Sequence, residues 1–438
     1  MGNQIYSTIR LAAVDLNGQM RGKRVPFSYA EKLGKGTVRL PFSALNVDIR
    51  GEDITDSPLV FASGDADGML KPTSRGPVPM PWLNAPSVLY PMTLHHDDGT
   101  PFSGDARHAL SAVLNRYAKK GWTVIAATEL EFTLVDDSAA SIAPPFDPRT
   151  GKRLHAGDVV SLDALDAFDD FFTDLYAAAE KMDIPAQAAI SESGQGQFEI
   201  NLAHGEAMKA ADDAWLFKTL IRGMARKHGM AATFMAKPFA EDAGNGLHVH
   251  FSIIDEKGRN IFDDGGNQGS QLLLNAIAGC LDAMADSTLV FAPHANSYTR
   301  LVPGAHAPTG IGWAYENRTA AIRVPGGAPS ARRIEHRVAG GDINPYLLLA
   351  TILGAAITGI EDGHLPPAPL TGNIYEADIP QLPDNWQAAI QAFGESDLMA
   401  RILPRDLIRN MVLTKRQEIR AITELSADAQ TALYLERV

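Results

Sequence analysis

The sequence predicts two parts: a small, mostly β segment over about the first hundred residues, then a larger region of alternating strands and helices. Three observations carry this expectation. Residues 41–101 are dense in turn formers, with Gly64-Asp65-Ala66-Asp67-Gly68 and Pro77-Val78-Pro79-Met80-Pro81-Trp82, and show little helical period. Beyond residue 100, β-branched runs alternate with stretches whose apolar residues recur at helical spacing, and hairpin signals are few. At 438 residues the chain has ample material for a large core.

Taken in order, residues 5–15 read as a strand, closed by the turn Asp15-Leu16-Asn17-Gly18 and followed by Arg21-Gly22-Lys23-Arg24 and a second short strand or loop. The tract Asp97-Asp98-Gly99-Thr100-Pro101 marks a boundary, giving domains 1–98 and 99–438. Leu110, Val113, Leu114 and Tyr117 predict a helix over 106–120, stopped by Gly121. The run 122–135 is rich in β-branched and aromatic residues and predicts a strand. A loop over 136–158 precedes an acidic amphipathic helix over 163–182 and a β segment from 184. Further helices are expected over 212–228, 271–285, 345–360 and within 386–435. Strands are expected over 233–238, 247–254, 318–325 and 332–338. No internal repeat appears.

Composition narrows the class of function. Apolar residues make up 45% and charged residues 21%, as in ordinary soluble globular proteins. A net charge of -13 argues against nucleic-acid and anionic-membrane binding. A lone cysteine, Cys280, excludes a disulfide framework and a cysteine-type zinc site, and suits a reducing cytoplasm. The N-terminus lacks signal-peptide and myristoylation patterns. The longest apolar run, 346–360, is too short to span a bilayer and is expected to be a buried helix.

Chemistry concentrates on strands. In Thr128-Glu129-Leu130-Glu131-Phe132, Glu129 and Glu131 share a face, opposite Leu130 and Phe132. Two carboxylates about 5 Å apart repel by roughly 3 kcal/mol at an effective dielectric of about 20. A buried strand tolerates this only with a shared proton or a nearby cation; an isolated pair of this kind is more often a solvated face. Glu192 and Glu199 flank the Gly-rich turn 193–196, with Glu199 directed away from Phe198, Ile200 and Leu202. His248, His250 and Ser252 share one face behind the turn Gly244-Asn245-Gly246. Arg333, Glu335 and Arg337 share another, which on its own reads equally as a plain ion-pair ladder. Arg318 and Arg323 have opposite strand parity, so one of them must leave a strand end to reach a common site. Arg300 lies in a loop, 296–304. Neither Gly34-Lys35-Gly36-Thr37 nor the 244–246 turn has the spacing of a phosphate loop, and no HExxH is present. Five glutamates and one histidine suit Mg²⁺ or Mn²⁺, and arginines beside a divalent metal point to phosphoryl transfer.

These segments together, with Met235-Ala236-Lys237-Pro238, Asn296-Ser297-Tyr298-Thr299-Arg300 and Arg323-Val324-Pro325, resemble the glutamine synthetase family, in the family's order and over nearly the whole chain. The resemblance implies an α+β fold: an N-terminal β-grasp domain, then a catalytic domain built on an open antiparallel β-barrel with surrounding helices. It implies glutamate, ATP and an amine as substrates, and a homo-oligomer, a dodecamer of two stacked hexamers. By position, Glu131, Glu192 and Glu199 would hold one metal, and Glu129, His248 and Glu335 a second that grips the ATP phosphates. His250, Ser252, Arg323 and Arg333 fall where the family binds ATP, Arg318 where it contacts the transferring phosphoryl group, and Gly244, Arg300 and Arg337 where it binds glutamate.

Three departures bear on the acceptor. His306 stands where ammonia-using members carry a glutamate that closes the site; an imidazole can act as a base but attracts a small cation less than a carboxylate does. Ala243 replaces an asparagine that contacts glutamate, and the segment 44–48 lacks the Asp-Gly-Ser-Ser motif of the ammonium pocket. The segments 233–238, 241–246 and 335–340 look most like the γ-glutamylputrescine synthetase branch. An organic amine is therefore the expected acceptor, with ammonia as the alternative. A non-catalytic relative is the third reading, although none of the six metal positions is lost. Tyr375, near a position adenylylated in some bacterial members, is expected to be an ordinary surface tyrosine.

Overall fold

The computed structural model describes residues 6–33, 35–435 and 437–438. The expected strand start at residue 5 and Gly34 of the glycine-lysine tract lie outside them.

The first sheet contains β1 (Thr8–Val14), β2 (Met20–Pro26), β3 (Arg39–Pro41), β4 (Asp67–Pro72), β5 (Val78–Pro79) and β6 (Ser87–His95). Its order is β2-β1-β6-β4-β3, with β5 on β6. The expected turn closes the β1–β2 hairpin: Asp15 Oδ1 accepts from the amides of Asn17 and Gln19, each at 2.9 Å. β6 corrects the reading of 41–101 as turns. Pro91 interrupts its text and demotes it as a strand, yet Pro91 is the last residue paired in parallel with β1, opposite Ala12, and its carbonyl still accepts from Thr73 N at 2.9 Å. Alternation on β1 divides the burial. Ile9, Leu11 and Ala13 enter a small core with Leu40, Leu70 and Leu94. Ala12 and Val14 enter the large core beside Leu110 and Val113, so the sheet lies against the rest of the chain.

The second sheet holds β7 (Thr123–Val135), β8 (Ala186–Ser191), β9 (Gln197–Leu202), β10 (Gly205–Glu206), β11 (Ala231–Thr233), β12 (Leu247–Ile254), β13 (Trp313–Tyr315), β14 (Ile322–Val324) and β15 (Ile334–His336). Its order is β13-β14-β15-β12-β7-β9-β8, with β10 and β11 also on β7. The pairings are antiparallel apart from β13–β14, which is parallel. Several strands are shorter than expected. Arg318 sits in a turn ahead of β14, which resolves the parity conflict with Arg323. The 233–238 run leaves β11 at Thr233, and the 296–304 loop contains the short helix Ser297–Arg300.

The helix at 163–182 is two, Leu162–Asp166 and Asp169–Lys181, and the one expected at 212 starts earlier, as Ala207–Lys227. The C-terminal helical text divides into Trp386–Glu395, Asp397–Ile402, Arg405–Ile422 and Ala427–Leu435; Ser396 caps the second and Pro404 precedes the third. The apolar helix is Pro345–Asp362, started by Asn344 and ended by Gly363 at φ 73°. It crosses Gln271–Asp282 with backbones nearly touching: a Cβ on Gly359 would lie 2.3 Å from the Asn275 carbonyl. The helix is 18 residues long, longer than the 346–360 run expected to be too short for a bilayer; among the described residues it alone is long and apolar enough to cross one, by length and composition, and it is buried inside the protein as expected.

Candidate active site

Sheet register brings the singled-out residues together. On β7, Glu129 pairs with His248 of β12 on one side and Asn201 of β9 on the other. Glu131 lies directly opposite Glu199. One pair further along β12, His250 faces Glu335 of β15, and Glu335 faces Arg323 of β14. Because these are in-register partners, their side chains share one face of the sheet.

Glu129 is the hub. Its Oε2 lies 3.0 Å from His248 Nδ1 and its Oε1 lies 3.0 Å from His250 Nε2. Arg333 Nε donates to His250 Nδ1 at 3.2 Å, so a neutral His250 carrying its proton on Nε2 satisfies both neighbours. Likewise, His248 donating from Nδ1 to Glu129 leaves the Nε2 lone pair for a ligand. Glu335, almost fully buried, accepts from Arg323 at 2.7 Å and from Arg337. Glu131 Oε2 accepts from the Gly246 amide at 2.6 Å. Asn201, which the sequence reading passed over, donates to Glu199 Oε1 at 3.0 Å; its parity with Glu199 was the available signal.

The electrostatics follow from crowding. Burial pushes Glu192 up, the Glu131 and Glu129 charges push it further, and Arg318 pulls back, leaving it at about 7. Glu199 rises for the same reasons, burial first and then Glu129, Glu131 and Glu192. Burial also pushes Glu129 up, but hydrogen bonds from the two histidines outweigh it, and its carboxyl ends below the usual range. Glu335 likewise ends low, with Arg337 foremost among the neighbours that outweigh burial.

A cluster in which some carboxyls are held ionised and others are driven to keep protons is short of positive charge, and divalent cations fit it. Ligand atoms of Glu129, Glu199 and His248 lie within 4.8 Å of one another, as do those of Glu129, His250 and Glu335. Glu129 is common to both groups, which draw on four of the six metal positions the resemblance implied, with His250 as a further histidine. Glu131 and Glu192 fall in neither group, and their charges raise Glu199.

Arg300 and the loop at 244–246 adjoin this cluster. Arg300, 4% exposed, donates to the Val338 carbonyl at 2.8 Å. A Cβ on Gly246 would lie 2.8 Å from Arg300 Nη2 and 3.4 Å from Glu131 Oε1, and one on Gly244 would lie 3.0 Å from Arg300 Cγ. The two glycines thus let the backbone pass against Arg300. Tyr375 is half-buried within electrostatic reach of Arg337 and Arg300, which act against the rise that burial gives its phenol; it is not the plain surface residue expected. On the other side, a cavity of about 590 Å³ is lined by Glu129, His204, His250, Ser252, Ser330 and Arg333, a size suited to a small-molecule ligand. Arg318 and His306 are exposed, Arg318 within electrostatic reach of Glu192 and His306 with a left-handed backbone at φ 58°; neither lines the cavity.

The glutamine synthetase catalytic domain model matches residues 103–434. The chain belongs to the glutamine synthetase family. It is 38% identical to gamma-glutamylputrescine synthetase PuuA of Escherichia coli (strain K12) over 89% of this chain and 83% of that protein. It is 33% identical to glutamate–isopropylamine ligase of a Pseudomonas species over 98% and 95%. A solved structure of a GmaS/ADP complex superposes with a TM-score of 0.84 at 28% identity, covering 96% of this chain and 95% of that one. As a member of this family of glutamine synthetases and glutamate–amine ligases, the chain is an ATP-dependent carbon–nitrogen ligase. ATP and divalent metals are general to the family, and the clustered carboxylates and histidines are the donor types such metals need.

Proposed function

We propose that this ligase joins the γ-carboxylate of L-glutamate to an organic amine, with a diamine or polyamine as the first candidate, through a γ-glutamyl phosphate. The observation that carries the reading is His306 in place of the glutamate that closes the site of ammonia-using members. Relatives whose names specify putrescine and isopropylamine support it.

In this reading, Arg300, Arg337 and the Gly244 backbone fix the glutamate carboxylates. His250, Ser252, Arg323 and Arg333 hold ATP in the cavity beside Glu129. The six positions Glu129, Glu131, Glu192, Glu199, His248 and Glu335 hold Mg²⁺ or Mn²⁺, which spread the charge of the ATP phosphates. A γ-carboxylate oxygen attacks the γ-phosphorus and ADP leaves, Arg318 meeting the charge on the transferring group. The amine nitrogen then attacks the acyl carbon, inorganic phosphate leaves, and the nitrogen gives up a proton, for which His306 is the candidate base. The family resemblance extends the reading to a dodecamer and to residues 1–98 as the β-grasp domain.

The test is phosphate release with glutamate, ATP and Mg²⁺ across ammonium, putrescine, ethanolamine and simple monoamines. Turnover highest with an organic amine is expected; ammonium clearly outperforming every amine would return the protein to the ammonia-using branch. His306→Glu is expected to raise ammonium use, and no change would remove His306 from the acceptor pocket.

A further inference from the structure

Two segments flanking the site are joined by side chains to which no role has yet been given. Gln197, 3% exposed, opens β9. Its Nε2 donates to the Gly244 carbonyl at 2.9 Å and to Asn245 Oδ1 at 3.2 Å, and lies 3.4 Å from Glu131 Oε2. Its Oε1 accepts from Gly194 N at 2.9 Å, inside the turn that follows Glu192. Asn245 is fixed in turn: its Oδ1 accepts from Thr133 Oγ1 at 3.1 Å and its Nδ2 donates to the Met235 carbonyl at 2.9 Å. At the outer edge, Gln195 donates to Asp242 Oδ2 from its backbone at 2.7 Å and from its side chain at 3.3 Å.

One buried amide therefore touches a carboxylate of the metal cluster, the hairpin that presents Glu192, and the backbone of the loop that lies against Arg300. A primary amide has two protons, and three acceptors compete for them here. When Glu131 is drawn towards a cation, it competes less for those protons, and Gly244 and Asn245 hold them more firmly. The glutamate-side loop is then fixed by the same event that fills the metal side. The reverse must hold as well, because coupling between two binding sites is reciprocal.

We propose that Gln197 is a positioning residue that couples divalent-cation binding to glutamate binding. The proposal rests on the assignment of glutamate to the Gly244–Arg300 side. Gln197→Met keeps length and bulk while removing donor and acceptor. Mn²⁺ binding is measured by calorimetry without nucleotide, with and without saturating glutamate, alongside steady-state kinetics with the best amine. In the wild type, glutamate is expected to tighten Mn²⁺ by about fivefold or more. In Gln197→Met that factor falls close to one, and the KM for glutamate rises about tenfold while kcat at saturation changes by less than about threefold. Asp242→Ala, at a half-buried position, opens only the outer ties and should lower the coupling by about twofold; it carries the test if Gln197→Met does not fold. Wild-type turnover with no coupling, or coupling and glutamate KM unchanged in both variants, overturns the proposal and leaves the ligase intact. A wild type that turns over no amine with glutamate and ATP overturns the ligase reading, and the proposal with it.

Discussion

Mn²⁺ should bind the metal-free protein far more weakly below neutrality, because on Glu192 a cation competes with a proton. Burial and the neighbouring Glu131 and Glu129 charges raise this carboxyl to about 7 against the pull of Arg318. If the bound cation requires Glu192 ionised, the apparent affinity is divided by one plus the ratio of protonated to ionised carboxyl. That factor is about twofold at pH 7, about elevenfold at pH 6 and about a hundredfold at pH 5. Glu199 is raised by burial and the same carboxylates, so the slope of log affinity against pH should exceed one between about pH 5.5 and 7. Glu129 and Glu335 are held low and stay ionised across this window. Calorimetry in paired buffers of different ionisation heat counts the protons directly, and about one proton per cation should come from Glu192 at pH 6. The sign for metal-free stability is opposite. A carboxyl raised in the folded state contributes stability that is fully present below its unfolded value near 4.5 and is lost as pH rises through about 7. Chelator-treated protein should therefore melt lower at pH 8 than at pH 5.5, and Mn²⁺ should reverse that order. An affinity independent of pH between 5.5 and 7.5, or a proton count unchanged in Glu192→Gln, would refute the reasoning.

Other substitutions probe neighbouring parts of the same arrangement. In Gly246→Ala, the new methyl would lie 2.8 Å from Arg300 Nη2 and 3.4 Å from Glu131 Oε1. The fold should survive, because a side-chain end can yield, but the KM for glutamate should rise by about tenfold or more; an unchanged KM would place glutamate elsewhere. Arg318→Ala should lower kcat by about 10²–10³ with a small change in glutamate KM, and a kcat within about threefold of wild type would remove it from the phosphoryl group. Lys415 and Glu418 form a fully buried pair at 2.8 Å, tied to the hairpin turn by Asn17 Nδ2 at 3.0 Å and to the Ile49 amide at 2.7 Å. Lys415→Met would leave Glu418 buried without its cation and should cost about 3–5 kcal/mol in denaturant unfolding. A loss below about 1 kcal/mol would show that Glu418 is stabilised by its other partners alone.

The shared face of Glu129 and Glu131, and that of His248 and His250, were legible because strand side chains alternate with period two and the intervening residues are apolar. The core helix at 345–360 was legible from its long apolar text, although it runs two residues further, to Asp362. β6 was not, because a single proline outweighed eight strand-like neighbours locally, while the parallel pairing that rescues it comes from β1, far away in sequence. Tyr375 was misplaced for a similar reason: nothing around Asn373 and Ile374 in the text shows that the chain returns there beside Arg300 and Arg337.

Alternation tells which face a side chain takes, never which neighbour it meets, and that difference matters most at Glu129. The family pattern distributes six positions between two cations. Register sets Glu129 opposite His248 and within reach of His250, so that one carboxylate belongs to both clusters of ligand atoms. The arginines that steady Glu335 draw on the same region: Arg323 and Arg337 already occupy its two oxygens, and Arg337 also acts on the half-buried Tyr375. Each carboxylate oxygen has two lone pairs, so it can accept a guanidinium proton and still ligate a cation. A change of charge at one end of the cluster therefore reaches the other through shared atoms rather than through a chain of moving parts. The clustered carboxylates, histidines and arginines form one electrostatic unit, whose members are spread over more than 200 positions of sequence, from Glu129 to Glu335, and are gathered by the pairing of β7, β12 and β15.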